Sequence, residues 1–137
     1  MRALVLDSEA ISQLARSSNG VKPGRVHTAV RAAANADRPI VVPAAVLAEQ
    51  YRGGRHDALI DSCLRRYDGV RVVDTTRPLA RTVGNLLARA GMACEHHVDA
   101  TVVATAIAYG GGVILTSDVD DLKKIAAGHV NVVVEPV

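Results

Sequence analysis

Five short, continuously apolar runs, separated by helix-length stretches, restrict the folds open to this chain more than any other feature. The runs are Ala3–Asp7, Pro39–Val42, Val70–Thr75, Val113–Thr116 and Val130–Val134. A strand with one wet face alternates apolar and polar residues, whereas a strand apolar along its length is covered on both faces. Between the runs lie helical patterns: Ile11, Leu14 and Ala15; Leu59, Ile60, Cys63 and Leu64; and Leu79, Val83, Leu86 and Leu87, with Pro78 in the first turn. A longer helix begins near His97 and is stopped by Gly110, Gly111 and Gly112. Strands and helices in alternation build an α/β fold of three layers, a central, mostly parallel sheet of about five strands with helices on both faces.

The 137 residues are expected to form a single domain over 1–137 with a core of useful size. Three tyrosines are the only aromatic residues, so the core is built from Val, Leu, Ile and Ala, and the composition argues against a base-stacking platform. A net charge of +2 is no nucleic-acid signature by itself. Arginine outnumbers lysine 13 to 3, which suits phosphate contacts but equally suits a bias in genome composition. Cys63 and Cys94 have no metal-binding spacing and are expected to be reduced and at least partly buried. With no signal-peptide pattern and no run long enough to cross a membrane, the expected location is the cytoplasm.

In an open α/β sheet, ligands bind beyond the carboxyl ends of the strands, so the residues just past each strand carry the functional information. Asp7 ends the first run and Asp118 follows the fourth, with Asp120 and Asp121 crowding the same turn. Either aspartate alone reads equally well as a helix N-cap. Asp99 lies in line with Val102, Val103 and Ala106, the core-facing stripe of its helix. A carboxylate there is costly unless it is paired or bound to a cation. Glu49 lies on a helix border beside Ala45 and Val46, and alone it reads as a solvated residue. Carboxylates converging without cysteine or paired histidine ligands suit a hard cation, Mg²⁺ or Mn²⁺, of the kind that assists phosphoryl chemistry. His96 and His97 read as a solvated helix start, and Glu9 as an acid favoured by its helix dipole.

Strand-Asp, helix-Glu, an Asp-Ala pair opening an alanine-rich helix and Thr-x-Asp after a strand, in that order, resemble the PIN-domain nucleases. The likeness is closest to the small VapC-type toxins of toxin–antitoxin pairs and spans essentially the whole chain. It implies a PIN-like fold in which Asp7, Glu49, Asp99 and Asp118 are the catalytic, metal-binding acids. Asp121 is an additional carboxylate and Thr116 a supporting hydroxyl. It implies a Mg²⁺- or Mn²⁺-dependent endoribonuclease acting on an RNA substrate and leaving 5′-phosphate ends, a homodimer, and a cognate antitoxin protein as inhibitor. Glu9 departs from the Ser or Asn common two residues after the first aspartate.

Arg52 and Arg55, beside Gly53 and Gly54, are candidates for phosphate contacts. Tyr51, Leu59, Ile60 and Leu64 are candidates for part of an apolar antitoxin-binding surface, although packing on the sheet is the stronger expectation for them. Rival readings are a stand-alone PIN nuclease in RNA processing, a PIN-like interaction module without catalysis, and a receiver-like phosphoacceptor. No lysine ends the last strand to serve the phosphoacceptor. A dehalogenase-type phosphatase needs a second aspartate where Glu9 stands.

Overall fold

A computed structural model describes residues 2–16, 24–67 and 69–137. Its strands are β1 (Ala3–Leu6), β2 (Ile40–Pro43), β3 (Val70–Val73), β4 (Gly112–Thr116) and β5 (Val132–Pro136). The helices among the described residues are α1 (Ser8–Arg16), α2 (Arg25–Asn35), α3 (Ala44–Gln50), α4 (Gly54–Arg66), α5 (Arg77–Ala90), α6 (His97–Ala108) and α7 (Val119–Ile125). A one-turn 3-10 helix, Cys94–His96, leads into α6.

All strand pairs are parallel, and the strands lie in the order β3-β2-β1-β4-β5. The chain therefore steps outward from β1 to β2 and β3, then returns to the other side of β1 for β4 and β5. Right-handed crossovers put helices from the two legs on opposite faces. Accordingly α1 packs with α2 and α4, while α5, α6 and α7 pack with one another. The reversal falls between β1 and β4, which opens a crevice at their carboxyl ends.

The three inner strands are buried nearly throughout, while the edge strands β3 and β5 are partly exposed, which explains why the inner runs carry no polar alternation. Helix α6 lies against β1, β2, β4 and β5, and Ala100 to Ala106 are all buried. Such a helix must be apolar on every side. Thr101 and Thr105 satisfy this by donating their hydroxyls to the carbonyls of His97 and Thr101, each at 2.7 Å. At the other end of the sheet β4 lies so close to β1 that a Cβ on Gly112 would sit 2.4 Å from the Ala3 carbonyl oxygen. Only glycine keeps this pairing, and the register that follows sets Leu6 beside Leu115.

Three details differ from the sequence reading. β5 begins two residues later than expected, because Val130 is 91% exposed in the preceding turn. Helix α2 lacked a clear signal: its buried stripe of Val26, Val30 and Ala33 is diluted by further alanines on exposed positions. Cys63 is buried, but Cys94 is exposed, since the 3-10 turn that carries it lies outside the core. Of the four candidates for an apolar surface, Ile60 is buried and Tyr51 and Leu64 pack against the core, as the packing alternative expects, and Leu59 alone is exposed.

Candidate functional site

Asp7 and Asp118 reach the crevice from the carboxyl ends of adjacent strands, β1 and β4. The pairing of Leu6 with Leu115 carries on into a hydrogen bond from the Asp7 N–H to the Leu115 carbonyl, which brings the side chains just beyond together. Asp99 arrives from the first turn of α6. One carboxylate oxygen from each of Asp7, Asp99 and Asp118 lies within 4.8 Å of the other two. Glu49, near the end of α3, stands one hydrogen bond further out. The Ser8 hydroxyl, next to Asp7, donates to Glu49 Oε2 at 2.5 Å.

Thr116 links the two strand-end aspartates. Fully buried, its hydroxyl donates to Asp7 Oδ2 at 2.6 Å and accepts the Asp118 N–H at 2.9 Å. The other oxygen of Asp7 accepts the Ser8 N–H at 2.8 Å. Each Asp7 oxygen thus has one fixed partner and further lone pairs for another.

The electrostatics are unfavourable as they stand. Burial raises the Asp7 pKa above its usual 3.8; the hydrogen bonds from Thr116 and Ser8 oppose the rise, and the charges of Glu49 and Asp118 add to it. Asp99 is pushed up to about 6, first by burial and then by the charges of Asp7, Asp118 and Asp121, with His96 pulling the other way. Among the described residues no lysine or arginine pairs with Asp7, Asp99 or Asp118. Asp118 occupies the N-cap position of α7, yet its side chain makes no capping hydrogen bond.

This donor set fits a hard divalent cation. Three carboxylates share one small volume, no lysine or arginine among the described residues pairs with them, and all three converging atoms are oxygens. The arrangement offers what hydrolysis of a phosphodiester needs: a place for positive charge beside an open, water-accessible edge.

The remaining candidates lie around this cluster. Asp121, in the first turn of α7, faces it with about half of its side chain exposed. Arg52 donates from its guanidinium to the carbonyls of Ala48 and Tyr51, so it closes the end of α3. Arg55 is exposed in the first turn of α4. Glu9 turns along its own helix, paired with Arg16 at 2.9 Å.

Two neighbours escaped the sequence reading. Ser8 joins Asp7 to Glu49 across 41 positions, and only its place directly after Asp7 hinted at this. His96 is the other. His97 is exposed as expected, but the His96 side chain is 28% exposed and its Nδ1 stands 3.7 Å from Asp99. The signal available was their spacing of three, which stacks side chains on one helical face.

The fold is shared with solved structures. A chain in the crystal structure of VapBC2 from Rickettsia felis bound to a DNA fragment from their promoter matches with a TM-score of 0.70 and 17% identity, over 98% of this chain and 98% of that one. A chain in DNA-bound VapBC from Salmonella typhimurium matches with a TM-score of 0.66 and 17% identity, over 99% of this chain and 98% of that one. No curated protein matches the sequence. The family model of the PIN domain does match, over residues 4–128, a span that holds Asp7, Glu49, Asp99, Asp118 and Asp121, and the chain belongs to the PIN domain family.

Proposed function

We propose that this protein is a divalent-metal-dependent endoribonuclease, the toxin of a type II toxin–antitoxin pair, with residues 1–137 as one PIN domain. The observation that carries the nuclease reading is the convergence of Asp7, Asp99 and Asp118 on one point, with no lysine or arginine paired with them among the described residues. In this reading the three carboxylates hold Mg²⁺ or Mn²⁺, with Glu49 and Asp121 on the two flanks. The bound ion supplies the charge that activates water and stabilises the leaving 3′ oxygen of an RNA phosphodiester.

The chain's own residues do the positioning. Thr116 holds one oxygen of Asp7 and the backbone of Asp118 in a fixed relation, so the cluster keeps its shape against its own repulsion. Ser8 holds Glu49 beside Asp7. Burial excludes water from Asp7, while Asp118, exposed, is left open to substrate. Arg55, exposed beyond α3, is the better placed of the two arginines to meet RNA phosphate, because the Arg52 guanidinium is engaged by carbonyls.

The toxin reading is supported by the fold likeness to chains of complexes named VapBC and by the order of acids along the sequence. A cognate antitoxin and a homodimer belong to the same reading. The direct test is incubation of the purified protein with RNA in Mg²⁺ or Mn²⁺, with and without excess EDTA. Cleavage leaving 5′-phosphate ends, abolished by the chelator, is expected; undiminished cleavage in EDTA overturns the mechanism. Co-expression with the product of the adjoining reading frame tests the toxin reading separately. Failure of any such product to relieve growth arrest leaves a stand-alone nuclease.

A further inference from the structure

Among the described residues, His96 is the histidine that groups with the acids of the crevice. It closes the 3-10 turn before α6, three residues ahead of Asp99, while Asp121 faces it from the first turn of α7. His96 Nδ1 lies 3.7 Å from Asp99 Oδ2 and 3.9 Å from Asp121 Oδ2. Both separations are longer than an ordinary hydrogen bond but within ion-pair reach, and His96 pulls the Asp99 pKa down against its other neighbours. One ligand atom from each of the three residues lies within 4.8 Å of the others. Bonds of about 2.1 Å to a shared ion place its ligand atoms roughly 3–4.2 Å apart, and both measured separations fall inside that range.

Asp99 belongs to two such groups. It groups with Asp7 and Asp118, and separately with His96 and Asp121. A carboxylate common to two donor sets is the arrangement that holds paired ions about 4 Å apart in phosphodiester chemistry. The two sets differ in kind: one is all oxygen, the other contains an imidazole. Mg²⁺ favours oxygen donors and keeps much of its water, whereas Mn²⁺ stands next to the metals that imidazole suits and accepts a mixed set.

Building on the metal-dependent reading above, we propose that His96, Asp99 and Asp121 form a second cation position, sharing Asp99 with the first, and that His96 is a direct ligand there that favours Mn²⁺ over Mg²⁺. The second position is nearer solvent, since His96 is 28% and Asp121 49% exposed in their side chains. It therefore fills and empties more readily than the position at buried Asp7.

The test reads the ligand itself and does not depend on activity. Mn²⁺ is added to the full-length wild-type protein, and pulsed electron paramagnetic resonance records nuclear coupling to the bound ion. We expect coupling to ¹⁴N that converts to the ¹⁵N pattern when the protein is labelled with ¹⁵N-histidine. His96→Gln should abolish it while Mn²⁺ still binds, and should cut the preference for Mn²⁺ over Mg²⁺ by about tenfold in competition titrations. Bound Mn²⁺ without nitrogen coupling in the wild type overturns this proposal alone, as does coupling that persists in His96→Gln. A wild type that binds no Mn²⁺ overturns it together with the metal reading. If His96→Gln fails to fold, the labelled wild type decides the matter by itself.

Discussion

Two helices, α5 and α7, start at the same edge of the sheet just past strands β3 and β4, yet they use the same local grammar for different ends. At α5 the Thr76 hydroxyl accepts the Leu79 N–H at 3.3 Å, and Pro78 occupies the first turn. The helix closes at Gly91 in the left-handed conformation, with the Gly91 and Met92 N–H groups returning to Ala88 and Leu87. Its first turn contains no acid. At α7 an equally good capping residue, Asp118, makes no side-chain cap, and Asp120 and Asp121 follow in the first turn. A helix dipole stabilises an exposed acid by about 0.3–1 kcal/mol. That is too little to offset Asp118 and Asp121 lying beside Asp99, where their charges help push its pKa up to about 6. One helix start is built for stability; the other carries repulsion that a proton or an added cation would relieve.

The strongest way to break this contrast is to neutralise Asp118. Asp118→Asn should lower RNA cleavage by at least about 10²-fold while leaving the thermal midpoint of the metal-free protein within about 2 °C of wild type. Retained cleavage, or a large fall in midpoint, would make Asp118 a structural residue like Thr76.

Thr116 tests whether the cluster needs its internal brace. Thr116→Val leaves the Asp118 N–H and one oxygen of Asp7 without their shared partner, so it should cost about 1–3 kcal/mol in denaturant unfolding and about 10-fold or more in cleavage. Thr116→Ser keeps the hydroxyl and should recover most of both.

Asp99 gives the contrast a pH dependence. Its folded pKa is raised from 3.8 to about 6, so between these values the folded protein holds a proton that the unfolded chain has lost. Metal-free stability from this group is therefore full below about pH 4, falls as pH rises through 4 to 6, and is level above that. Asp99→Asn removes the loss. Thermal melts in EDTA should coincide with wild type near pH 4 and show the variant about 1–2 kcal/mol more stable at pH 7.5, the gain being moderated by solvent contact. A variant less stable at every pH would mean that Asp99 supports the helix start.

The smallest effect belongs to α5. Thr76→Ala should cost about 0.5–1 kcal/mol in unfolding and leave cleavage and Mn²⁺ binding unchanged. Any loss of cleavage beyond that explained by unfolding would show that the two helix starts are coupled.

The same contrast marks what could be read in advance. Thr76 and Asp118 are both good capping residues in sequence, and only the acids crowded after Asp118 separate them locally. Asp99 stood out because a charge fell on an apolar stripe, a conflict visible within one helix. Glu49 carried no such conflict, and its place beside the cluster depends on Ser8, 41 positions away. His96 was passed over because a histidine at a helix start is ordinarily solvated, and Asp121 faces it from a different helix.

By itself the sequence determined the five strands, most of the helices, their order, and the mostly parallel sheet, because hydrophobic period and β-branching act within a few residues and declare which faces must be covered. It also determined that acids would sit at strand ends. The strand order β3-β2-β1-β4-β5, the close approach of β4 to β1 at Gly112, and the brace from Thr116 to Asp7 across 109 positions were decided only in three dimensions. The reason is the short range of the forces that make a site. Hydrogen bonds reach about 3 Å and ligand geometry about 4 Å, so a carboxylate's chemistry is set by whichever distant segments the fold brings to its side.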